Sequence, residues 1–422
     1  MNTLLEDFFI NTDFLQGLSH VEKKKHFQKL RILRFLYLQG PTTNAEICNA
    51  FNFSLPTSMA LINQLIKEGL IVKQGRGESV GGRKPDLFAI KPGTFFVLSI
   101  HIDRFNIKLA IVDNTNSTII EEDIPSKISS EVNIVDTLFN YATALIEESE
   151  VDTNKLLGIG ISMPGLVSSK EGKNFTYFLS GQESLSLQAA LKKQFDKPVY
   201  ILNDAKSACL AEFRFGEAKN KEDVLVISMD WGIGLGIVMG GKMHTGTSGF
   251  AGEFGHIPMV EDGELCHCGK RGCLETIASG LALVNKAKKG LAAGETSLLS
   301  SMVNDDSELN PEIIIEAANR GDQFSINILS EIGSNLGKGI AILIQIFNPE
   351  LVILEGKIAE AKKFITTPIQ QSMNTFCMIQ LKEKTKIVLS KLGRNSHLLG
   401  STAAVVNNVF KNQLKLENDI GK

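Results

Sequence analysis

Residues able to do metal chemistry are concentrated in one run of the chain. Gly252-Glu-Phe-Gly-His-Ile-Pro leads into Cys266-His-Cys-Gly-Lys-Arg-Gly-Cys-Leu-Glu275, so His256, Cys266, Cys268 and Cys273 lie within eighteen residues of one another. Three thiols and an imidazole complete the tetrahedral N/S set that zinc takes. Four protein ligands leave no open position, so the expected ion is a structural Zn2+ rather than a catalytic one. Gly263, Gly269 and Gly272 give the backbone the freedom to aim three sulfurs at one point. His267, between two of the thiols, is a rival fourth ligand. The alternative is a turn of reduced, half-buried cysteines; the regular interleaving of ligand and turn residues favours the metal.

Such a run needs a body to hold it, and 422 residues are enough for two or three domains. The hydrophobic share of 43% and the charged share of 22% are those of a globular protein. Cys48, Cys209 and Cys377 stand apart in apolar surroundings and read as buried free thiols, a usage that fits a reducing cytoplasm. The first ten residues lack a basic stretch ahead of their apolar ones, which is not the pattern of a secretory signal, and no apolar run reaches the length of a membrane span. Net charge is -3, unevenly spread: residues 1–90 carry 11 basic and 8 acidic side chains, the remainder 33 and 39. A basic N-terminal segment on an acidic body points to a nucleic-acid partner.

The local pattern of residues 1–90 agrees. A helix is expected over 22–39, stopped by Gly40-Pro41. A second runs from Ala45 to about Phe51, capped by Thr43 or Asn44, and a third follows the cap Ser54 with Pro56 in its first turn. Short strands at 71–73 and 87–90 flank a basic, Gly-rich loop. Three helices and a two-stranded hairpin make a winged helix-turn-helix, whose third helix enters the major groove of duplex DNA while the wing rests on phosphate or minor groove. Thr57, Met59, Ala60 and Asn63 face outward on the third helix. Asn63 has the amide suited to reading adenine, and Thr57 suits a phosphate. Arg76, Arg83 and Lys84 in the wing would reach phosphates or a narrow minor groove.

From Phe95 onward the pattern is α/β. Strands are expected at 96–100, 107–112, 157–161, 199–202, 224–228 and 351–354, with helices at 133–149, 205–214, 276–289 and 323–346 between them. Asp230-Trp-Gly232-Ile-Gly234-Leu-Gly236 is compatible with a phosphate turn or with a tight strand turn that binds nothing.

The sequence Glu-x-Gly-His followed by Cys-x-Cys-Gly-x-x-Gly-Cys-x-Glu resembles the signature of the ROK family, which groups bacterial sugar kinases with sugar-responsive repressors. Supporting pieces run from about residue 30 to about residue 405. Gly81-Gly-Arg-Lys-Pro85 resembles the linker and wing of the regulator branch. The resemblance implies a DNA-binding domain over 1–90 and a two-lobed actin-like ATPase body (sugar kinase/RNase H-like) over 91–422. Its first lobe would cover about 91–213 plus a C-terminal helix near 393–410, and its second about 214–392. It also implies sugar-binding roles for Asn203, Asp204, Glu253, His256 and Glu275, with Asp204 at the position of the kinase general base.

Two departures shape the expected function. The kinase phosphate turn Asp-x-Gly-Gly-Thr-Lys is replaced by Asp103-Arg-Phe-Asn-Ile-Lys108, whose bulky Arg104 and Phe105 occupy space that phosphate would need. After Met163-Pro-Gly-Leu166 the Asn and Trp usual in the family are missing. The expected protein is therefore a cytoplasmic, sugar-responsive transcriptional regulator without catalysis, a repressor in the family's sense of blocking carbohydrate-use genes. It would bind an operator and a sugar or sugar phosphate effector as a homodimer or homotetramer. The alternatives are an active sugar kinase with a DNA-binding arm, and a regulator governed by a protein partner.

Overall fold

The computed structural model describes residues 9, 15, 17–77, 84–126, 133–177, 186–303 and 309–420. Helix α1 (His20–Gln39) starts at a capping box in which Ser19 Oγ accepts from the Glu22 N–H and the Glu22 carboxylate accepts from the Ser19 N–H. Thr43 and Glu46 repeat the device for α2 (Asn44–Phe51), and Ser54 caps α3 (Leu55–Lys67). Leu30, Leu33, Leu36, Ile47, Leu61, Ile62 and Leu65 from these helices are all buried. Strand β1 (Thr42–Thr43) pairs with β3 (Asp86–Ile90), which pairs in turn with β2 (Ile71–Arg76). The wing thus has a third strand, whose two residues are too few to leave a period in the sequence.

The body holds two five-stranded sheets. The first comprises β4 (Phe96–Ile102), β5 (Asn106–Asp113), β6 (Thr118–Pro125), β7 (Leu156–Met163) and, after the short pair β8 (Val167–Ser168) and β9 (Lys173–Asn174), β10 (Val199–Asn203). Its order is β10-β7-β4-β5-β6. Helices α4 (Ile134–Ser149) and α5 (Leu187–Phe195) accompany it. The second sheet has the order β13-β12-β11-β14-β15, from β11 (Val224–Met229), β12 (Ile233–Met239), β13 (Lys242–Met243), β14 (Leu351–Glu355) and β15 (Lys386–Leu389). β11, β14 and β15 run parallel and β12 antiparallel to β11. With this sheet go α6 (Asp204–Phe215), α7 (Gly280–Ala292), α8 (Pro311–Asn319), α9 (Gln323–Phe347) and α10 (Lys363–Phe376), and the chain closes with α11 (Ser396–Ile420).

By its contacts the chain divides into two units, 1–165 with 171–201 and 401–422, and 166–170 with 202–400. In the first, the N-terminal helices are tied to the sheet and to α11. Arg31 pairs with Glu417 at 2.7 Å, the Tyr37 hydroxyl donates to Asn116 Oδ1 at 3.5 Å, and the Phe9 ring packs edge-on against Phe95 and Phe410. In the second, buried Leu, Ile and Ala of α7, α8, α9 and α10 form one apolar cluster with the inner residues of β11, β12 and β14.

Three expectations are corrected. The glycines of Asp230–Gly236 do not make a turn throughout: only Asp230–Gly232 turns, with the Asp230 N–H donating to the Gly232 carbonyl at 3.2 Å, while Gly234 and Gly236 lie inside β12. They are small because α6 lies against them. A β-carbon on Gly234 would stand 2.4 Å from Ala205 Cβ, and one on Gly236 would stand 2.1 Å from Cys209 Cβ. The helix expected over 276–289 is broken at Ser279, which leaves the short helix Glu275–Ala278 and then caps α7 by accepting from the Ala282 N–H. The last helix extends well past 410, to Ile420.

Gly236→Ala is expected to destabilise the protein by about 1–3 kcal/mol through overpacking against Cys209. Thermal unfolding would show this as a lowered Tm, whereas Cys209→Ala, which leaves the contact open, should shift Tm less. Equal shifts would remove the close-approach account.

Candidate functional site

The second unit brings the metal-ligand candidates together through a tight knuckle. Strand-like bridges join Pro258 to Cys273 and Leu265 to Arg271, and the Cys266 N–H donates to the Lys270 carbonyl at 2.8 Å. Gly269 and Gly272 take φ of +86° and +71°, which L side chains rarely adopt. Gly272 is also hemmed in, since a β-carbon there would meet the Val260 carbonyl at 1.7 Å.

Within the knuckle, Cys268 Sγ and Cys273 Sγ are 3.6 Å apart, and Cys266 Sγ lies 3.5 Å from His256 Nδ1. The four ligand atoms lie within 4.8 Å of one another. Two sulfurs each about 2.3 Å from a tetrahedral ion would be roughly 3.8 Å apart, so the spacing fits such an ion. Burial, with the neighbouring thiols, pushes the Cys273 thiol up to about 12, whereas Cys268, against its own burial, is held below its ordinary value by the Lys270 N–H and the neighbouring thiols. His267 has a different partner from the one its position allows: its Nδ1 pairs with the Glu275 carboxylate at 3.1 Å and is 3.9 Å from Cys266 Sγ. Its ring packs edge-on against that of His256, with centroids 5.0 Å apart.

Polar groups linked by their charges adjoin the knuckle: Glu275 and Glu253 feel His256 and His267, and Glu253 also feels Lys206. Glu275, with 13% of its side chain exposed, also accepts from the Ile233 N–H at 3.1 Å. Burial raises its carboxyl, but the hydrogen bond and charge of His267, with His256 and the Ile233 N–H, outweigh it and the net shift is downward. Glu253 is surface-exposed, and the protein packed about it raises its carboxyl against the pull of Lys206 and His256. Asn203 is the N-cap of α6, its Oδ1 accepting from the Lys206 N–H at 3.2 Å, and Asp204 is that helix's first residue. The sequence reading missed Lys206. Its half-buried ammonium donates to the Gly249 carbonyl, and it feels both Asp204 and Glu253. It lies in the first turn of the helix expected from residue 205, and no local pattern set it apart from the chain's other lysines.

On the DNA-binding domain Thr57, Ala60 and Asn63 are exposed and Met59 half-exposed, while Thr57 Oγ1 shares a hydrogen bond of 2.7 Å with the cap Ser54. Gln64, a second exposed amide, adjoins Asn63 and was not singled out from sequence. Arg76 and Lys84 are exposed on the wing; Arg83 falls outside the described residues. The turn from β4 to β5 carries Arg104 and Phe105, neither at positive φ, with the Asp103 N–H donating to the Asn106 carbonyl at 2.8 Å. The segment 178–185 after the Pro164-Gly165 turn likewise falls outside the described residues.

A winged reader of DNA joined to a two-sheet α/β body with a Cys-His knuckle defines a class of regulators built on the frame of a sugar kinase. The winged helix-turn-helix DNA-binding profile matches residues 28–72, and the ROK family profile matches residues 97–408. The chain belongs to the ROK family. It is 30% identical over 387 residues to the xylose repressor of Caldicellulosiruptor bescii, covering 92% of this chain and 97% of that one. It is 28% identical over 388 residues to the DNA-binding transcriptional dual regulator NagC of Escherichia coli, covering 92% and 94%. Among solved structures, a ROK family transcriptional regulator, homolog of the E. coli MLC protein, superposes with a TM-score of 0.76 at 26% identity, covering 93% of this chain and 98% of that one. A ROK family glucokinase from Streptomyces griseus, in complex with glucose and AMPPNP, superposes at 0.66 with 28% identity over 74% of this chain and 99% of that one. The long coverage by the regulator includes the DNA-binding domain. Among the described residues no helix is long and apolar enough to cross a membrane.

Because Asn203 caps α6, Asn203→Ala should cost about 1 kcal/mol of stability and Asn203→Ser much less. Denaturant unfolding of the two variants measures this; equal losses would mean that the cap is not what Asn203 contributes.

Proposed function

We propose that this chain is a sugar-responsive repressor that binds an operator through α3 and the wing and binds a sugar or sugar phosphate at the group Asp204, Lys206, Glu253, Glu275 and His256, without turning it over. The observation that carries the reading is the presence, in one chain, of a DNA-reading domain and of this convergent polar set. A sugar hydroxyl both donates and accepts, so several carboxylates and a cation at hydrogen-bonding range are the chemistry that recognises it. The relatives' names direct the choice of ligands to test toward xylose and N-acetylglucosamine. Asn63, with Thr57 and Met59 beside it, is placed for base edges, and Arg76, Arg83 and Lys84 for phosphates. Pairing of half-sites calls for two or more copies of the chain.

His256, Cys266, Cys268 and Cys273 would hold a structural Zn2+. The ion would neutralise the clustered thiolates and fix the His256 ring through Nδ1, the nitrogen 3.5 Å from Cys266 Sγ, beside Glu253 and Glu275, whose carboxyls feel its charge. Metal analysis of protein purified without chelator should return about one zinc per chain, and Cys268→Ser should lose it and unfold at lower temperature. Zinc-free wild-type protein of full stability would contradict the assignment.

A second reading, a sugar kinase carrying a DNA-binding arm, is favoured by the glucokinase likeness. Against it stand Arg104 and Phe105 at the first hairpin. Operator titrations with and without each sugar, run beside an ATP-consumption assay, separate the two. The repressor reading expects a ligand-dependent change in operator affinity and no sugar-dependent ATP consumption. Asp204→Ala should abolish the ligand effect while leaving ligand-free operator binding within about twofold, because linkage runs only through the bound ligand. A variant that responds like wild type would move control to a protein partner.

A further inference from the structure

A second group of ligating side chains lies away from the knuckle. Asp230 follows the last residue of β11, Glu355 ends β14, and His397 stands in the first turn of α11. β11 and β14 are parallel neighbours, with Ser228 opposite Glu355, so the two carboxylates emerge side by side at the carboxyl ends of their strands. That edge is where open α/β sheets take ligands. His397 Nε2 is 3.6 Å from Asp230 Oδ2 and 4.0 Å from Glu355 Oε2. All three ligand atoms lie within 4.8 Å of one another.

The surroundings are built to hold these groups. The Lys357 N–H donates to Asp230 Oδ1 at 2.9 Å, and the Ser396 hydroxyl donates to Glu355 Oε2 at 3.1 Å. His397 Nδ1 faces the Asp204 carbonyl at 3.2 Å. A carbonyl can only accept, so Nδ1 carries the proton there and Nε2 is the nitrogen turned to the carboxylates. An outer hydrogen bond to a backbone carbonyl is how metal-binding histidines are usually oriented. Gly356 lets the strand end approach: a β-carbon there would meet Asp230 Oδ2 at 2.9 Å.

One polar atom is left over. Glu355 is 2% exposed, and its Oε1 is buried without a well-formed hydrogen bond, although the Ser228 hydroxyl, which donates to Asp230 Oδ2 at 3.5 Å, lies close enough to the Glu355 carboxylate to pull it down. Counted alone, two carboxylates and one imidazolium leave one negative charge; Lys357, whose ammonium is 3.7 Å from Glu312, and Arg394 offset it only through their charges at Asp230, the more exposed of the two acids. Burial raises the Glu355 carboxyl, the response of a buried acid short of positive charge. The cluster is not sealed, because the Asp230 side chain keeps 24% of its exposure.

We propose that Asp230, Glu355 and His397 form a second metal site, separate from the thiol knuckle, for a divalent transition ion of the Mn2+ or Zn2+ class. One imidazole and two carboxylates suit such ions, whereas thiolates select zinc. Nitrogen and oxygen ligands about 2.1 Å from the ion are roughly 3.4 Å apart in a tetrahedron and roughly 3.0 Å apart in an octahedron, so the observed cluster must contract to seat it. The ion would cancel the leftover charge and give Glu355 Oε1 a partner.

Mn2+ titration of the full-length protein, followed by loss of the free-ion paramagnetic resonance signal, tests the proposal. Wild type should take up about one Mn2+ per chain, and Cys268→Ser should do the same, since thiolates are poor partners for Mn2+. Glu355→Gln and Asp230→Asn keep the hydrogen bonds from Ser396 and Lys357 but remove ligand charge, and each should weaken uptake at least about tenfold. Wild-type protein that binds neither Mn2+ nor a second zinc overturns the site and leaves a proton-bridged ion cluster. Uptake that is equal in wild type and both variants overturns the choice of ligands.

Discussion

Helix α6 has almost no room, and much of the second unit is arranged around that fact. On one side Gly234 and Gly236 of β12 bring the strand so close that any side chain would collide with Ala205 or Cys209. On another, Gly400 in the first turns of α11 sits where a β-carbon would be 1.9 Å from the Ser207 carbonyl, and the Ser207 hydroxyl donates to the His397 carbonyl at 2.8 Å. Close-packed interiors transmit displacement rather than absorb it. The start of α6 is therefore fixed relative to both the strand that leads toward Glu275 and the turn that carries His397. Asn203 and Asp204 inherit their positions from missing side chains as much as from their own hydrogen bonds.

The electrostatics follow the same economy. Asp204, Glu253 and Glu275 would repel one another if left alone. Lys206 attracts the first two, and His267 with the Ile233 N–H satisfies the third. Each cation is short of complete exposure or complete burial, so the hydroxyl-bearing ligand proposed above would displace water from the group without having to break a strong buried pair. The Asp204 carbonyl, meanwhile, orients His397, so one residue borders both polar clusters of this unit.

Much of this was legible in the sequence. The three N-terminal helices could be read, with Ser54 as the cap of the third and Thr43 as one of two candidates for the second, because these caps act within three residues of their partners; the Ser19–Glu22 box of the first was not read. The central strands could be read because Val224–Met229 and Leu351–Glu355 are buried at every position. The knuckle showed itself because metal ligands of fixed type must recur close together. Other features were silent for physical reasons. Strand β6 is an edge whose Glu121, Glu122 and Asp123 face solvent, and an edge need not be apolar. The glycines of β12 spell the same letters as a phosphate turn, and only the helix lying on them tells the two apart. Asp230, Glu355 and His397 come from three elements spaced through almost 170 residues, with nothing local to connect them.

The attachment of the DNA-binding head has its own consequence. The pairs Arg31–Glu417 and Tyr37–Asn116, with the ring contacts of Phe9 and Tyr37 on Phe95, fasten the head to its unit at several points. A head on a loose tether can find two recognition sequences at many separations. A head fastened in this way has lost that latitude, and duplex DNA turns once in about 10 base pairs. For an assembly bearing two such heads, the helical phase of the target becomes a coordinate as strict as its letters. Half a turn of extra DNA would present the second sequence on the wrong face of the duplex, however perfect its bases.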